Sequence, residues 1–184
     1  YYSRGAMGFS PQWIRMAKRS IATILPHFNS MRMVTEYLHK FYVPAAKKRR
    51  SYQEQGFAGA RQIAAWKSRV REAWPGVSVR RLGSPGERIR FGESLLIEIG
   101  ARLNGLGPAD VAVEMVIERA EGETGRAVRL HRRFLAGDAL ADGGQRYYLE
   151  LAPELCGLLD YRIRAYPTHE LLTHPFELGL MVWA

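Results

Sequence analysis

Cysteine is nearly missing from this chain: Cys156 stands alone among 184 residues. A lone thiol closes no internal disulfide, so nothing calls for an oxidising compartment. No apolar run approaches the ~18 to 20 residues that cross a bilayer, and no charged leader precedes an apolar stretch. A soluble cytoplasmic protein is the expectation. Acidic residues are scarce in one part only. Residues 1–74 hold 14 Lys and Arg against 3 Asp and Glu, a balance of +11, whereas 75–184 hold 13 against 15, a balance of −2. Lysine is absent after Lys67, so the later part carries its positive charge on arginine alone. What is present, 47% apolar residues, suffices for a sizeable core in one domain or two small ones.

Helical punctuation governs the first part. Ser10-Pro11 sets a capping hydroxyl before a proline at the first helical position, where the missing N–H costs nothing. Ile14, Ala17, Ile21 and Ile24 then recur at helical spacing, predicting a helix over 11–25 that Pro26 stops. Asn29 and Ser30 cap a second helix with an apolar face of Met33, Val34, Tyr37, Leu38, Phe41 and Tyr42, expected to break or kink at Pro44. Ile63, Trp66, Val70 and Trp74 define a third, ending at Trp74-Pro75-Gly76. Residues 45–59, basic and dotted with glycine, fit neither pattern. The stripes exceed what three helices can bury among themselves, so this part is expected to need a partner surface.

After residue 76 the period changes from helical to alternating. Leu95, Ile97, Ile99, Ala101 and Leu103 form one strand face. Val111, Val113, Met115 and Ile117 form another after the turn Asn104-Gly105-Leu106-Gly107-Pro108. Val128, Leu130 and Phe134 suggest a third strand, interrupted by Arg132, and runs at 77–82, 147–151, 161–166 and 178–183 bring the count to about seven. The expected fold is α+β: N-terminal helices over 1–74, then an antiparallel β-sandwich, immunoglobulin-like, over 75–184.

Chemistry-bearing constellations are few, and no catalytic, cofactor-binding or metal-binding residue is assigned. His27, His39, His131, His169 and His174 show no ligand spacing with Cys156 or a carboxylate pair. His169 and His174, with Glu170 between them, invite a metal reading, but solvated histidines between Pro167 and Pro175 are favoured because no third ligand is apparent. Gly83-Ser84-Pro85-Gly86 is too short to cradle a phosphate and reads as a turn. Ser20 and Ser30 are surface or cap residues. Lys47-Lys48-Arg49-Arg50, near Phe41, Tyr42 and Tyr52, has the composition of a nucleic-acid contact. A solvated helix end, its cations complementing the C-terminal dipole, is the favoured alternative. Tyr147, Tyr148, Tyr161, Tyr166 and Trp183 could stack on sugar rings, with core packing as the default.

Several motifs resemble one enzyme family. Trp13-Ile14-Arg15-Met16, followed after four residues by Ile21-Ala22, leads through Phe28-Asn29-Ser30 to Arg32-Met33-Val34-Thr35-Glu36-Tyr37. This resembles the closing helices of α-glucan phosphorylases, W-x-R-M-x(4)-I-A then R-x-[IV]-x-[EQ]-Y. The junction Trp66-Lys67-Ser68-Arg69-Val70-Arg71-Glu72-Ala73-Trp74-Pro75-Gly76-Val77 is similar to W-[KR]-x-[RK]-[IV]-x-x-x-W-P-x-V of the bacterial and archaeal members. Pro175-Phe176-Glu177-Leu178-Gly179-Leu180-Met181-Val182-Trp183-Ala184 resembles their terminal P-x-E-x-G-L-[IM]-x-W-A. Tyr1-Tyr2-Ser3-Arg4-Gly5 departs from the family's Y-Y-x-R-D by the loss of a carboxylate.

The resemblance implies the noncatalytic C-terminal region of a phosphorylase. Its 1–74 helices would close a missing catalytic body, a two-domain glycosyltransferase of the GT-B type. The parent would release glucose 1-phosphate from α-1,4-glucan and inorganic phosphate with a lysine-bound pyridoxal phosphate, whose phosphate group takes part in proton transfer. None of the five lysines, Lys18, Lys40, Lys47, Lys48 and Lys67, lies in the family's N-M-K motif, and its phosphate loop and catalytic histidine motif are also missing. The chain alone is therefore expected to be inactive. A carbohydrate-binding accessory module is the alternative, and a basic nucleic-acid-binding protein a weaker one. No membrane partner is expected, and a homo-oligomer stays open.

Overall fold

In the computed structural model, residues 8–83, 90, 92–120, 127–152 and 157–184 are described. The chain divides into two compact units, Tyr1–Gly56 and Phe57–Ala184.

The described secondary structure of the first unit is helical. Helix α1 covers Pro11–Ile24, with the Ser10 side chain accepting from the Trp13 N–H at its start. Helix α2 covers Ser30–Tyr37, where the Asn29 carboxamide oxygen accepts from Arg32 N at 2.8 Å. Those two caps are the ones the sequence announces. The expected break at Pro44 does not occur. A π-helical turn at Leu38–Tyr42 carries the chain into α3, Val43–Ala73. Pro44 has no N–H to offer the carbonyl four residues back, and its ring crowds that carbonyl. The wider turn, closed by Val43 N–H on the Leu38 carbonyl, opens the ladder just ahead of it and lets the helix continue. Residues 45–59 are therefore helical, not an unplaced linker. Gln55, Gly56 and Phe57 nevertheless take left-handed φ values of 50°, 63° and 67°, a costly conformation for glutamine and phenylalanine. The two units divide at this point.

The second unit begins with the rest of α3. Its predicted stripe is buried at every position: Ile63, Trp66, Val70 and Trp74. A 3-10 turn at Trp74–Gly76 ends the helix. Asn104 donates from Nδ2 to the Ala73 carbonyl at 2.7 Å, supplying a partner to one of the carbonyls a helix end leaves open. Gly76 lies against that same amide so closely that a Cβ there would overlap Asn104 Cγ and Nδ2. Asn104 itself sits at φ 49°, followed by Gly105 at 87°, which is the left-handed turn the Asn-Gly pair allows.

Eight strands follow: β1 Ser78–Leu82, β2 Leu95–Arg102, β3 Val111–Ala120, β4 Ala127–Arg133, β5 Leu135–Ala139, β6 Gln145–Leu151, β7 Asp160–Pro167 and β8 Val182–Trp183. They form two antiparallel four-stranded sheets, ordered β1-β2-β6-β5 and β4-β3-β7-β8. The fold is α+β, with one strand more than the seven expected. The extra strand is β5, whose Leu-Ala-Gly-Asp-Ala has little β propensity and pairs with β6 through an irregular register between Ala136 and Ala139. Phe134, between β4 and β5, is buried and donates from its N–H to the Val113 carbonyl, pinning the change of sheet. Alternation sorts the side chains as predicted. Ile97, Ile99 and Ala101 of β2 are buried, as are Val111, Val113, Met115 and Ile117 of β3 and Ile163 and Ala165 of β7. Tyr147 of β6 joins them and directs its hydroxyl to the Pro108 and Val111 carbonyls, 3.4 Å each. Burial pushes that phenol up to about 12.

Candidate functional site

Two of the histidines that could have carried chemistry are engaged in local structure. His169 Nδ1 accepts from the Leu171 N–H at 3.0 Å, and its ring lies 4.9 Å from that of Trp66. His174 Nδ1 accepts from the Phe176 N–H at 3.1 Å. Each imidazole thus closes a backbone turn instead of presenting a lone pair to a shared ion. Among the described residues no group of three or more His, Cys, Asp or Glu side chains could hold a metal. Cys156 and residues 84–86 of the glycine turn lie outside the described residues, as does the 1–5 motif. Ser20 is exposed, and Ser30 is the first residue of α2 with Asn29 as its cap. Lys47 to Arg50 lie inside helix α3 and not at a helix end, so no C-terminal dipole acts on them. Lys48 stands over the Tyr52 ring at 5.6 Å.

The second unit brings two of the sequence motifs together. On the α3 side, the Trp66 indole N–H donates to Asp110 Oδ1 at 2.7 Å. The same carboxylate accepts from Arg69 at 3.1 Å and from the Gly107 N–H at 2.9 Å. Asp110 therefore ties the helix to the turn before β3. On the C-terminal side, Lys67 pairs with Glu177, whose other oxygen accepts from the Thr173 hydroxyl at 2.7 Å and the Thr173 N–H at 2.9 Å. Partial burial works to raise Glu177, but the hydrogen bonds from Lys67 and Thr173 prevail and hold its carboxyl at about 2. The W-K-x-R segment and the P-x-E-x-G segment thus fasten to each other within one unit.

The third feature is the outward face of the second sheet. The alternation that buries Val111, Val113, Met115 and Ile117 turns Ala112, Glu114, Val116 and Glu118 the other way. That face is covered in part by the chain around β8. Glu114 accepts from Arg164 Nε at 2.7 Å, both side chains being 14% exposed. The guanidinium lies 4.8 Å from the Phe176 ring centroid, 5.7 Å from Tyr166 and 5.8 Å from Trp183. Tyr166 is buried and raised above the usual phenol value by that burial. Of the five aromatics that could have met sugar rings, Tyr147 and Tyr166 belong to buried structure, while Tyr161 lies under the Arg81 guanidinium at 4.9 Å and Tyr148 under Arg146 at 5.5 Å. Trp183 alone of the five is classed as exposed, at 52%.

Asp110, Glu114 and Arg164 had escaped the sequence reading. A carboxylate in a turn and a charged pair on alternating strands look like ordinary surface. Helix α3 supplies Trp66 and Arg69 to Asp110, and the return of Phe176 and Trp183 to the Arg164 guanidinium covers the Glu114 pair.

Lys67 is held by Glu177, and Lys40 by Glu36 at 3.1 Å. Among the described residues, three surface grooves of the second unit have no lysine in their lining. No helix is long and apolar enough to cross a membrane among the described residues.

Comparison with known proteins gives consistent results. The family described as glycogen phosphorylase C-terminal domain matches residues 74–184. Maltodextrin phosphorylase of Thermococcus litoralis is 34% identical over 177 residues, covering 94% of this chain and 20% of that protein. Glycogen phosphorylase of Mycobacterium tuberculosis is 30% identical over 200 residues, covering 100% of this chain and 22% of that protein. A 48-residue stretch is 42% identical to glycogen phosphorylase of Aquifex aeolicus. The chain spans about a fifth of the length of the curated relatives it matches end to end. No solved structure matches.

Proposed function

Because the chain belongs to the glycogen phosphorylase C-terminal domain family, we propose that it serves as the noncatalytic C-terminal region of an α-glucan phosphorylase. The whole enzyme would split α-1,4-glucan with inorganic phosphate to give glucose 1-phosphate. Its pyridoxal phosphate would sit on the catalytic body, since none of the five lysines here lies in the family's N-M-K motif. That body would be of the GT-B type, and the proposed setting is the cytoplasm.

The single observation that carries this reading is the state of the first unit. Ser10 is its one buried residue among those described, and Trp13, Met16, Ile21, Phe28, Met31, Val34 and Phe41 are all exposed. So much open apolar surface marks a face built to be covered. The occupant proposed is the catalytic body, because the matched relatives are about five times longer than this chain and the helices carry the motifs of that family's closing segment.

For the second unit, the strand orders support an immunoglobulin-like sandwich. Lettered in chain order with β4 as the added strand, they become A-B-E-D and C′-C-F-G, the arrangement of that fold with an extra strand beside C. The domain boundary is proposed near residue 75, at the start of the family match, with 57–74 as a helical lead-in that the sheets require.

The test uses maltodextrin, phosphate and pyridoxal phosphate with the purified chain. No glucose 1-phosphate and no borohydride-trapped lysine adduct are expected. Expression of the same reading frame extended upstream of Tyr1 is expected to gain both. A stoichiometric adduct on a lysine of this chain would overturn the noncatalytic reading, and an extended protein inert toward glucan would overturn the parent activity.

A further inference from the structure

On the outer face of the second sheet, beside the Glu114–Arg164 pair, lies a groove of about 430 Å³. That is within the ~300 to 1,000 Å³ of cavities that receive small ligands. Its lining comes from four strands: Val116 and Glu118 of β3, Arg129 and His131 of β4, Asp160, Tyr161, Arg162 and Arg164 of β7, and Trp183 of β8. A larger groove of about 480 Å³ on the other sheet has no aromatic wall, and the space above its Gly100 floor is already crowded by Leu140 and Leu82.

The charges of the lining decide its ligand. Three carboxylates and three guanidiniums balance if the adjoining Glu114 is included. Two pairs are already made: Arg129 with Glu118 at 2.6 Å, and Arg164 with Glu114. His131 Nδ1 lies 3.3 Å from the remaining Glu114 oxygen. A lining whose charges balance gives a phosphate or a metal ion little net attraction. Side by side, however, the same groups present hydrogen-bond donors and acceptors at short intervals. Val116 supplies an apolar floor, and Trp183, with the Arg164 guanidinium 5.8 Å from its ring centroid, is still 52% exposed although its strand is fixed by Ala184 N–H on the Ile163 carbonyl. Neighbouring hydroxyls need paired donors and acceptors, and the C–H face of a sugar ring needs a rigid aromatic plane.

We propose that this groove is a saccharide-binding site, with Trp183 as the stacking surface and Asp160, Arg162, Glu118 and Arg129 as the hydroxyl contacts. That the saccharide is an α-1,4-glucan rests on the reading of the parent enzyme given above. The site would hold a stretch of polymer away from the chemistry, adding a second point of attachment for a long substrate.

The experiment follows the Trp183 indole signal in two-dimensional NMR spectra of the full 184-residue chain during titration with maltoheptaose, with cellohexaose as the control. A saturable shift with maltoheptaose is expected. Trp183→Ala, followed by the backbone amide signals of residues 160–164 because its indole is gone, and Arg162→Ala should each weaken binding about tenfold, the loss of one stacking or hydroxyl contact. Arg162 is exposed, so its variant should keep the parent's thermal midpoint and separate lost binding from lost fold. An unmoved indole signal, or binding unchanged in Arg162→Ala, overturns the site. Equal binding of cellohexaose overturns the α-1,4 assignment. Neither result touches the activity gained on upstream extension, so this proposal can fail while the parent reading stands.

Discussion

Helix α1 and the later half of α3 carry the same kind of apolar stripe, yet they end in opposite surroundings. Ile14, Ile21 and Ile24 of α1 lie open to solvent, whereas Ile63, Trp66 and Val70 of α3 are buried, Val70 completely. Spacing cannot account for the difference, because both stripes recur every three or four residues. What separates them is a set of polar fastenings at the edge of the second. Trp66 and Arg69 reach Asp110, Lys67 reaches Glu177, and Asn104 reaches the Ala73 carbonyl. In α1, by contrast, Thr23 bonds within its own helix, to the Arg19 carbonyl. An amphipathic stripe states that a helix needs a partner. The polar residues flanking it say whether that partner lies in the same chain.

Truncation gives the largest expected effect on this contrast. Residues 57–184 should melt cooperatively as a monomer, because the helix stripe and its fastenings are retained. Residues 75–184 should not, since they lose Ile63, Trp66, Val70 and Trp74. Each buried side chain contributes about 1.5–3 kcal/mol, so the four together approach the ~5–15 kcal/mol by which a whole domain is stable. Residues 1–56 alone should self-associate or remain partly unfolded, with their high positive charge adding self-repulsion. Circular dichroism melts and sedimentation of the three fragments check all of this. A sharp monomeric melt of 75–184 would show that α3 merely decorates the sheets.

Point substitution sharpens the same comparison at a smaller scale. Trp66→Ala should cost about 3–5 kcal/mol in urea denaturation, the range for deleting a buried large aromatic. It also takes the indole donor from Asp110. Ile21→Ala, at a residue 61% exposed, should stay within about 0.5 kcal/mol, as surface changes usually do. Equal losses at the two positions would mean that α1 is packed in solution.

Much of this arrangement was legible in residue periods. Ile63, Trp66, Val70 and Trp74 announced a buried stripe, and the odd positions of 111–117 announced the inner face of β3, because burial against a flat core repeats with the element's own period. The Ser10 and Asn29 caps were legible for the same local reason. Three things were not. Pro44 read as a break or kink, since the widened turn that absorbs it is a property of the backbone ahead of it and leaves no residue signature. β5 was hidden because its strand character comes from pairing with β6 and not from Leu-Ala-Gly-Asp-Ala itself. The outward pair of Glu114 and Arg164 was hidden because its burial depends on the return of Phe176 and Trp183, far along the chain. Motif likeness pointed to the right family; only the folded chain showed why Trp66, Lys67 and Glu177 belong to motifs at all.

Acid provides the finest test of the fastening between α3 and the C-terminal segment. The Glu177 carboxyl stands at about 2 in the folded chain, below its ordinary 4.5, through the hydrogen bonds of Lys67 and Thr173. A depressed carboxyl pKa means that the unfolded chain binds more protons than the folded one between those two values. Its contribution is therefore fully present above about pH 4.5 and is lost as pH falls toward about 2. The stability of the 184-residue chain should fall over that window with a component that Glu177→Gln lacks, so the two melting curves should converge on acidification and separate near neutral pH. Lys67→Met should remove a large part of the same component while leaving the Thr173 hydrogen bonds. If Glu177→Gln instead keeps the parent's full slope between pH 4.5 and 2, the pair does not hold the helix, and the stripe of Ile63, Trp66 and Val70 must hold it unaided.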